Sequence, residues 1–188
     1  MRLLLLLLGL HLLSGCSLLP TTPAPVVRPA QPDIASFTLN GRIAIRHNGV
    51  QHSAGLRWVH QPQFDELLLL APLGQTAARI YRDVSGALLE DGAKRYQADD
   101  VESLMQQVLG WHLPLSGLHH WVLALPIAGS EAHIERDAEG RITLLHQDGW
   151  EVRYLRYAGD GADSLPTRLE LSRDALRVQL LIDEWEMP

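Results

Sequence analysis

The chain has 188 residues, of which 46% are hydrophobic and 20% charged, a balance typical of a globular protein. Its formal net charge of −6 leaves no broad basic surface for a nucleic-acid backbone, so we expect no nucleic-acid partner. The only cysteine, Cys16, lies near the N-terminus. Disulfide bonds, cysteine zinc sites and a cysteine nucleophile in a folded core are therefore excluded.

The N-terminal segment predicts secretion and lipidation. Residues 3–13 form an apolar run that is shorter than the roughly 20 residues needed to cross a bilayer. We therefore interpret residues 1–15 as a signal peptide. The motif Leu-Ser-Gly-Cys that ends at Cys16 resembles the bacterial lipobox, whose cysteine becomes the first mature residue and carries N-acyl and S-diacylglyceryl groups. A plain signal peptide with an incidental cysteine is the alternative at this point.

Residues 16–35 have the composition of a tether between this lipid anchor and a folded domain. Five prolines among small residues prevent both a helix and a ladder of strand hydrogen bonds. Ser17, rather than aspartate, follows the cysteine, as in the sorting pattern of many outer-membrane lipoproteins. We expect a lipid-anchored protein on the periplasmic face of the outer membrane, with one folded domain over residues 36–188.

From Phe37 onward, apolar and polar residues alternate with the period of a β-strand. Turn pairs such as Asn48-Gly49 and Asp148-Gly149 separate successive strands. About eleven strands are predicted, near 37–46, 53–58, 64–71, 75–81, 87–90, 94–97, 131–136, 141–146, 150–157, 167–172 and 175–185. Because residues 67–70 are all leucine, alternation does not assign which of them face inward.

The period changes near residue 100. Apolar residues spaced three and four apart predict an amphipathic helix over 100–109, with Asp99 as its N-cap and Gly110 as its C-terminal stop. A second short helix is predicted over about 115–123, between two prolines. An antiparallel sheet of so many strands must twist and curl, and only these two helices can cover its concave face. Whether they enclose a filled core or an apolar cavity is open at this point.

Motifs of catalysis and metal binding are missing from the sequence. It contains no G-x-S-x-G, H-E-x-x-H, P-loop or dinucleotide-binding motif, so we expect neither enzymatic activity nor a cofactor. The nine histidines lack the spacing of metal ligands; His119 and His120, for example, are adjacent and do not share a helix face. We interpret the histidines as exposed or internally satisfied, and the five tryptophans mainly as core residues.

An ordered set of short segments spans the mature domain and carries a resemblance to a known family. The segments are Leu39-Asn40-Gly41-Arg42-Ile43-Ala44, Ala71-Pro72-Leu73-Gly74-Gln75-Thr76, Leu109-Gly110, Leu113-Pro114-Leu115, Trp150-Glu151-Val152, Leu165-Pro166 and Ile182 to Trp185. Together with the lipobox they resemble the outer-membrane lipoprotein receptor family LolB. The resemblance implies a mainly β fold with inserted helices: a half-closed antiparallel barrel, covered by two or three helices, around an apolar cavity.

The resemblance also implies a function. The family accepts lipoproteins from the periplasmic carrier LolA and inserts their acyl chains into the inner leaflet of the outer membrane, a task that requires apolar surface and no covalent chemistry. The expected partners are LolA, the acyl chains of client lipoproteins and outer-membrane lipid, and we expect a monomer. Two alternatives are open at this point: an envelope-assembly scaffold without a ligand cavity, and a lipid-modifying hydrolase.

Two sets of site residues follow from this interpretation. The predicted acyl-binding lining is Ile43, Ile45, Leu56, Trp58, Leu67, Leu69, Leu104, Met105, Val108 and Trp121. The other prediction concerns Leu73, which lies between Pro72, with its fixed φ, and Gly74, which tolerates a positive φ. We expect the Leu73 side chain to project from the loop tip and insert into the lipid headgroup boundary. Packing of this side chain back onto the sheet edge is the alternative.

Overall fold

The computed structural model describes Arg28 and residues 36–111 and 113–188. The predicted signal peptide, Cys16 and most of the tether lie outside the described residues. Within the described part of the chain, no helix is both long and apolar enough to cross a membrane.

Eleven strands form one antiparallel sheet, and the predicted fold class is confirmed. The strands are β1 (Phe37–His47), β2 (Val50–Gln61), β3 (Phe64–Leu70), β4 (Thr76–Asp83), β5 (Gly86–Asp91), β6 (Lys94–Ala98), β7 (Ala132–Arg136), β8 (Ile142–Gln147), β9 (Trp150–Tyr157), β10 (Pro166–Arg173) and β11 (Leu176–Glu186). Their order in the sheet is β6-β5-β4-β3-β2-β1-β11-β10-β9-β8-β7. The sheet is not closed, because β6 and β7 are its two edges.

The central junction of the sheet, between β1 and β11, depends on a glycine. The register of this pair shifts between Asn40 and Gly41, which marks a β-bulge. A Cβ atom at Gly41 would lie 2.2 Å from the backbone oxygen of Leu181, so no other residue fits there without moving a strand. Bulges bend the strand that contains them, and this one therefore contributes to the curl of the sheet.

Two helices are inserted between β6 and β7. The first, α1 (Val101–Leu109), begins at Asp100, whose carboxylate accepts a hydrogen bond from the backbone N–H of Ser103. The prediction of Asp99 as the N-cap was therefore wrong by one residue. Gly110 ends α1 in the left-handed region, with φ of 76°, as predicted. The second helix, α2 (Leu115–Val122), matches the predicted segment.

The strand directions define two ends of the curled sheet. We call the end at which β1 begins, near Phe37, the lower end, and the end at which β1 finishes, near His47, the upper end. The antiparallel order places the β1–β2 hairpin, the loop of residues 71–75 and the β10–β11 hairpin at the upper end. Arg28 lies at the lower end, where its backbone N–H donates to the carbonyl oxygen of Asp163.

Candidate functional site

The ten residues predicted to line an acyl-binding site lie in the core between the concave face of the sheet and the two helices. Seven of them are buried: Ile43, Leu56, Trp58, Leu67, Leu104, Met105 and Trp121. Three are partly buried against the same core: Ile45, Leu69 and Val108. The register also assigns the parity of β3 that the leucine run left open, because Leu67 lies opposite Trp58 and Leu69 opposite Leu56.

The lower part of this face is packed solid. The ring of Phe37 lies at right-angle geometry to Trp58, with centroids 5.1 Å apart, and to Trp185 at 5.4 Å. The face is also filled at the upper end of β8, where the indole N–H of Trp121 donates to Gln147 Oε1 at 3.0 Å and fixes α2 over the strand. In these two regions the filled-core alternative describes the structure.

The upper part of the face is open along β1, β2 and β3. Ile45, Ala54, Leu69, Val108 and Trp111 are only partly buried there. We call these five residues the apolar mouth. Its rim continues into Val50 and Leu109, which are 57% and 43% exposed. Trp111, two residues beyond α1, also lies at this end, where the centroids of its ring and that of His47 are 6.4 Å apart. Apolar surface is therefore available at one end of the curled sheet, beneath the end of α1.

A buried carboxylate lies at the lower end of the same face. Asp65 is 0% exposed, and its Oδ1 accepts the indole N–H of Trp58 at 2.8 Å and lies 2.7 Å from His60 Nδ1. Arg82 donates to the other oxygen, Oδ2. Burial alone would raise the pKa of Asp65, but hydrogen bonding and charge from His60, with further bonds from Trp58 and Arg82, hold it below its usual value. The carboxylate is therefore charged, and it ties β2, β3 and β4 together.

Sequence reasoning missed this network. Asp65 and Glu66 look like a pair of surface acids at a strand end, because the leucine run after them hides the parity of β3. Once Leu67 is known to face inward, Asp65 must do so as well, since side chains two apart share a face. The interpretation of His60 as a satisfied histidine holds.

The network continues from the sheet to α2 through stacked histidine rings. The rings of His60 and His119 lie 4.6 Å apart at 15°, and the rings of His119 and His120 are 4.0 Å apart. Burial lowers the pKa of His119 to about 4, with further lowering by the charges of His120 and His60. The contact between α2 and β2 is thus made by a neutral imidazole at neutral pH.

This lowered pKa predicts an acid-side loss of stability. Between the ordinary histidine value of 6.5 and about 4, the unfolded chain binds a proton at His119 that the folded protein does not. The contribution of neutral His119 to the free energy of unfolding is therefore fully present above pH 6.5, and it decreases as the pH falls towards 4. We expect the melting temperature of His119→Gln to depend less on pH than that of the wild type over this window. His133→Gln, at an exposed histidine of β7, is the matched control and should keep the wild-type slope.

The loop that contains Leu73 has the predicted geometry. The N–H of Gly74 donates to the carbonyl oxygen of Ala71 at 2.8 Å, and Gly74 has a φ of 82°. Leu73 is 84% exposed, so its side chain points away from the protein and does not pack on the sheet edge. A large apolar side chain therefore stands in solvent at the upper end, beside the apolar mouth.

The described residues give little support to a metal site or to a catalytic role for the Asp65 network. Within residues 36–111 and 113–188, no group of three or more histidine, cysteine, aspartate or glutamate side chains could hold a metal ion. The Asp65 network is saturated by its own partners and faces packed aromatic rings rather than a cleft. The geometry favours the binding of an apolar group at the mouth.

Comparisons with known proteins place this geometry in a family. The family model described as outer membrane lipoprotein LolB matches residues 35–185, which include nearly all of the described domain. The chain belongs to the LolB family. It is similar to the outer-membrane lipoprotein LolB of Chromobacterium violaceum, with 41% identity over 186 residues and 98% of each chain covered.

Further similarity supports the same assignment. The LolB protein of Azoarcus sp. (strain BH72) is 41% identical over 179 residues, which cover 94% of this chain and 90% of that relative. Among solved structures, a DUF1329 family protein from Desulfovibrio piger has a TM-score of 0.50 at 6% identity, covering 81% of this chain and 85% of its own. This likeness shows a shared fold alone, whereas membership of the LolB family makes the protein one of a family of outer-membrane lipoproteins.

Proposed function

We propose that the protein accepts the acyl chains of client lipoproteins from LolA and inserts them into the inner leaflet of the outer membrane, acting from the periplasmic face. The observation that carries this proposal is the half-exposed apolar mouth beneath α1, in a chain of the LolB family. A scaffold that only holds other proteins has no need of apolar surface left open at one end of its core.

The energetics of the cargo require such a surface. Burying apolar surface is worth about 0.8 kcal/mol per CH₂, so exposing one ~16-carbon acyl chain to water costs about 12 kcal/mol. A lipoprotein with three such chains does not cross an aqueous compartment unaided. A receptor must hold the chains more tightly than the carrier does and less tightly than the bilayer, which makes delivery proceed in one direction.

Entry of an acyl chain must move a helix, because seven of the ten predicted lining residues are already buried, four of them on the sheet and three on the inner faces of α1 and α2. The second helix is fixed on the sheet, since the hydroxyl of Tyr154 donates to the carbonyl oxygen of Trp121 at 2.8 Å. By contrast, α1 packs on β5 and β6, at one edge of the sheet. We therefore assign the opening movement to α1, and the entry path to the apolar mouth.

Transfer from the carrier tests the proposal directly. A complex of LolA with a radiolabelled lipoprotein is mixed with the protein, and the label should move to the protein before any liposome is added. A fluorescent fatty acid should bind in a parallel titration. A folded protein that takes up neither the label nor the probe would favour the scaffold alternative.

Lipidation at Cys16 is proposed to anchor the protein without contributing to uptake. A Cys16→Ala variant behind a cleavable signal peptide should be a soluble periplasmic protein that accepts lipoprotein from LolA at the wild-type level, because the apolar mouth lies entirely within residues 36–111. The measurement is label transfer to the purified soluble form. Loss of transfer by a form that still melts cooperatively would place the acyl site in the anchor.

A further inference from the structure

The outer, convex face of the sheet carries two arginines without acidic partners near its upper end. Arg46 of β1 lies directly opposite Arg177 of β11 in the register. Both are exposed, and neither forms an ion pair with any residue that the structure describes. Like charges directly opposite each other in a sheet are unfavourable. Glu151 and Glu170 line a shallow cleft together with Arg177, but neither forms an ion pair with it.

Two other arginines on this face have acidic partners. Arg42 forms a two-point contact with Asp183, with the shorter distance 2.9 Å, and Arg79 donates to Glu66 at 2.6 Å. These two side chains thus have an acid within ion-pair distance, whereas Arg46 and Arg177 have none within that distance among the described residues. The excess of positive charge is local, since the whole chain has a net charge of −6.

A groove of about 490 Å³ lies directly below this arginine pair. It exists because Ala44, Ser53 and Gly55 are small where neighbouring strands carry larger side chains. Leu70 and Leu181 form its apolar sides. Gly55 cannot be enlarged freely, since a Cβ atom there would lie 3.1 Å from the Cβ of Leu70.

The groove is continuous with the Leu73 loop. Pro72, the residue before Leu73, lines one end of it, and Arg168 lies at the other. The loop follows β3, which is two strands away from β1, so it is only about 10 Å across the sheet from the strand that carries Arg46. An occupant of the groove therefore contacts cations, an apolar floor and the exposed leucine loop together.

We propose that this outer-face groove docks an anionic phospholipid of the bilayer surface, with Arg46 and Arg177 binding its phosphate. The combination of unpaired guanidinium groups and an apolar floor fits a ligand that is both anionic and apolar, and a free phosphate ion would not use the floor. Arginine suits this role because its planar fork binds phosphate with two parallel hydrogen bonds. The inference rests on the proposed function, since that function brings the Leu73 loop to the membrane; phosphate contacts then fix the orientation in which the loop meets it.

Vesicle binding by the soluble Cys16→Ala form tests this inference. The form is sedimented with vesicles of phosphatidylethanolamine and phosphatidylglycerol, and with neutral phosphatidylcholine vesicles. A second form adds Arg46→Gln and Arg177→Gln, and a charge-matched control adds Arg95→Gln and Arg136→Gln on the edge strands β6 and β7, away from the groove. Basic residues near an anionic surface each contribute severalfold to affinity, so the first double variant should bind the anionic vesicles about tenfold or more weakly. The control should stay within about twofold of the parent.

Uptake from LolA separates this inference from the proposed function. The Arg46/Arg177 variant should accept labelled lipoprotein at the parent rate, because neither side chain lies on the concave face. Equal weakening by both double variants would reduce the effect to net charge and overturn the inference, as would unchanged vesicle binding. If the Arg46/Arg177 variant lost uptake but bound vesicles normally, the arginine pair would be a binding surface for LolA and not for lipid, which would also overturn the inference. A parent that binds anionic vesicles but takes up no lipoprotein contradicts only the proposed function.

Discussion

Replacing Asp65 with asparagine should lower the free energy of unfolding by about 3–5 kcal/mol, the range observed when one partner of a buried ion pair is removed. The amide keeps the volume of the side chain but removes the charge that faces Arg82. The amide also has one NH₂ group in place of one of the two acceptor oxygens, so the N–H donors either of Trp58 and His60 or of Arg82 then lack an acceptor. Urea unfolding at pH 7 measures this loss.

The neighbouring acid on the same strand supplies the control. Glu66 faces the outer side of the sheet, where it accepts from Arg79 at 2.6 Å in a partly exposed setting. Exposed ion pairs contribute little, so Glu66→Gln should cost less than about 1 kcal/mol. Equal losses from the two substitutions would show that burial of the Asp65 network has no special importance for stability.

Local chemistry made most of the fold predictable. Asn48-Gly49 and Asp148-Gly149 form two-residue hairpins in which both residues have positive φ, as this turn type requires. The amphipathic spacing and Gly110 gave the position and the end of α1. The N-cap was missed because Asp99 and Asp100 are chemically equivalent caps. Which of them caps the helix depends on the direction in which the chain leaves β6, and that direction is a tertiary property.

The site was less predictable, for physical reasons that particular residues illustrate. The run of leucines in β3 has apolar side chains on both faces, so its parity, and with it the burial of Asp65, depends on pairing with β2. How much of the concave face is filled depends on how closely the helices approach it. The hydrogen bond from Trp121 to Gln147 joins residues 26 positions apart, and no local pattern predicts it.

The length of the predicted tether is sufficient for the upper end of the protein to reach the bilayer. Arg28 is held at the lower end, while Leu73 lies at the upper end. The twelve residue steps from Cys16 to Arg28 can span about 37 Å in an extended polyproline conformation. The eleven residues of β1 span about 36 Å. The proposed lipid anchor at Cys16 therefore allows the upper end, with the apolar mouth and Leu73, to meet the membrane.

Replacing Leu73 with glutamate should abolish delivery to liposomes while leaving folding and uptake from LolA near the wild-type level. The side chain is 84% exposed and contributes little to the folded core. Burying one leucine in the headgroup boundary gains about 1.5–3 kcal/mol, enough to bias the orientation of the protein at the bilayer and too little to anchor it. A carboxylate at the same position opposes that contact. The measurement is transfer of labelled lipoprotein from LolA to the protein, and then from the protein to liposomes.

Val84 provides a control of matched exposure at the opposite end of the sheet. It is 85% exposed on the turn between β4 and β5, at the lower end, where no membrane contact is proposed. Val84→Glu introduces the same charge and removes a similar apolar side chain, so it should deliver lipoprotein normally. If both variants lost delivery to the same extent, the loss would be due to the added negative charge and not to the position of Leu73. Delivery at the wild-type rate by Leu73→Glu would contradict a role for Leu73 at the membrane. Loss of uptake together with delivery would also contradict it, because that role begins only after the acyl chains have left LolA.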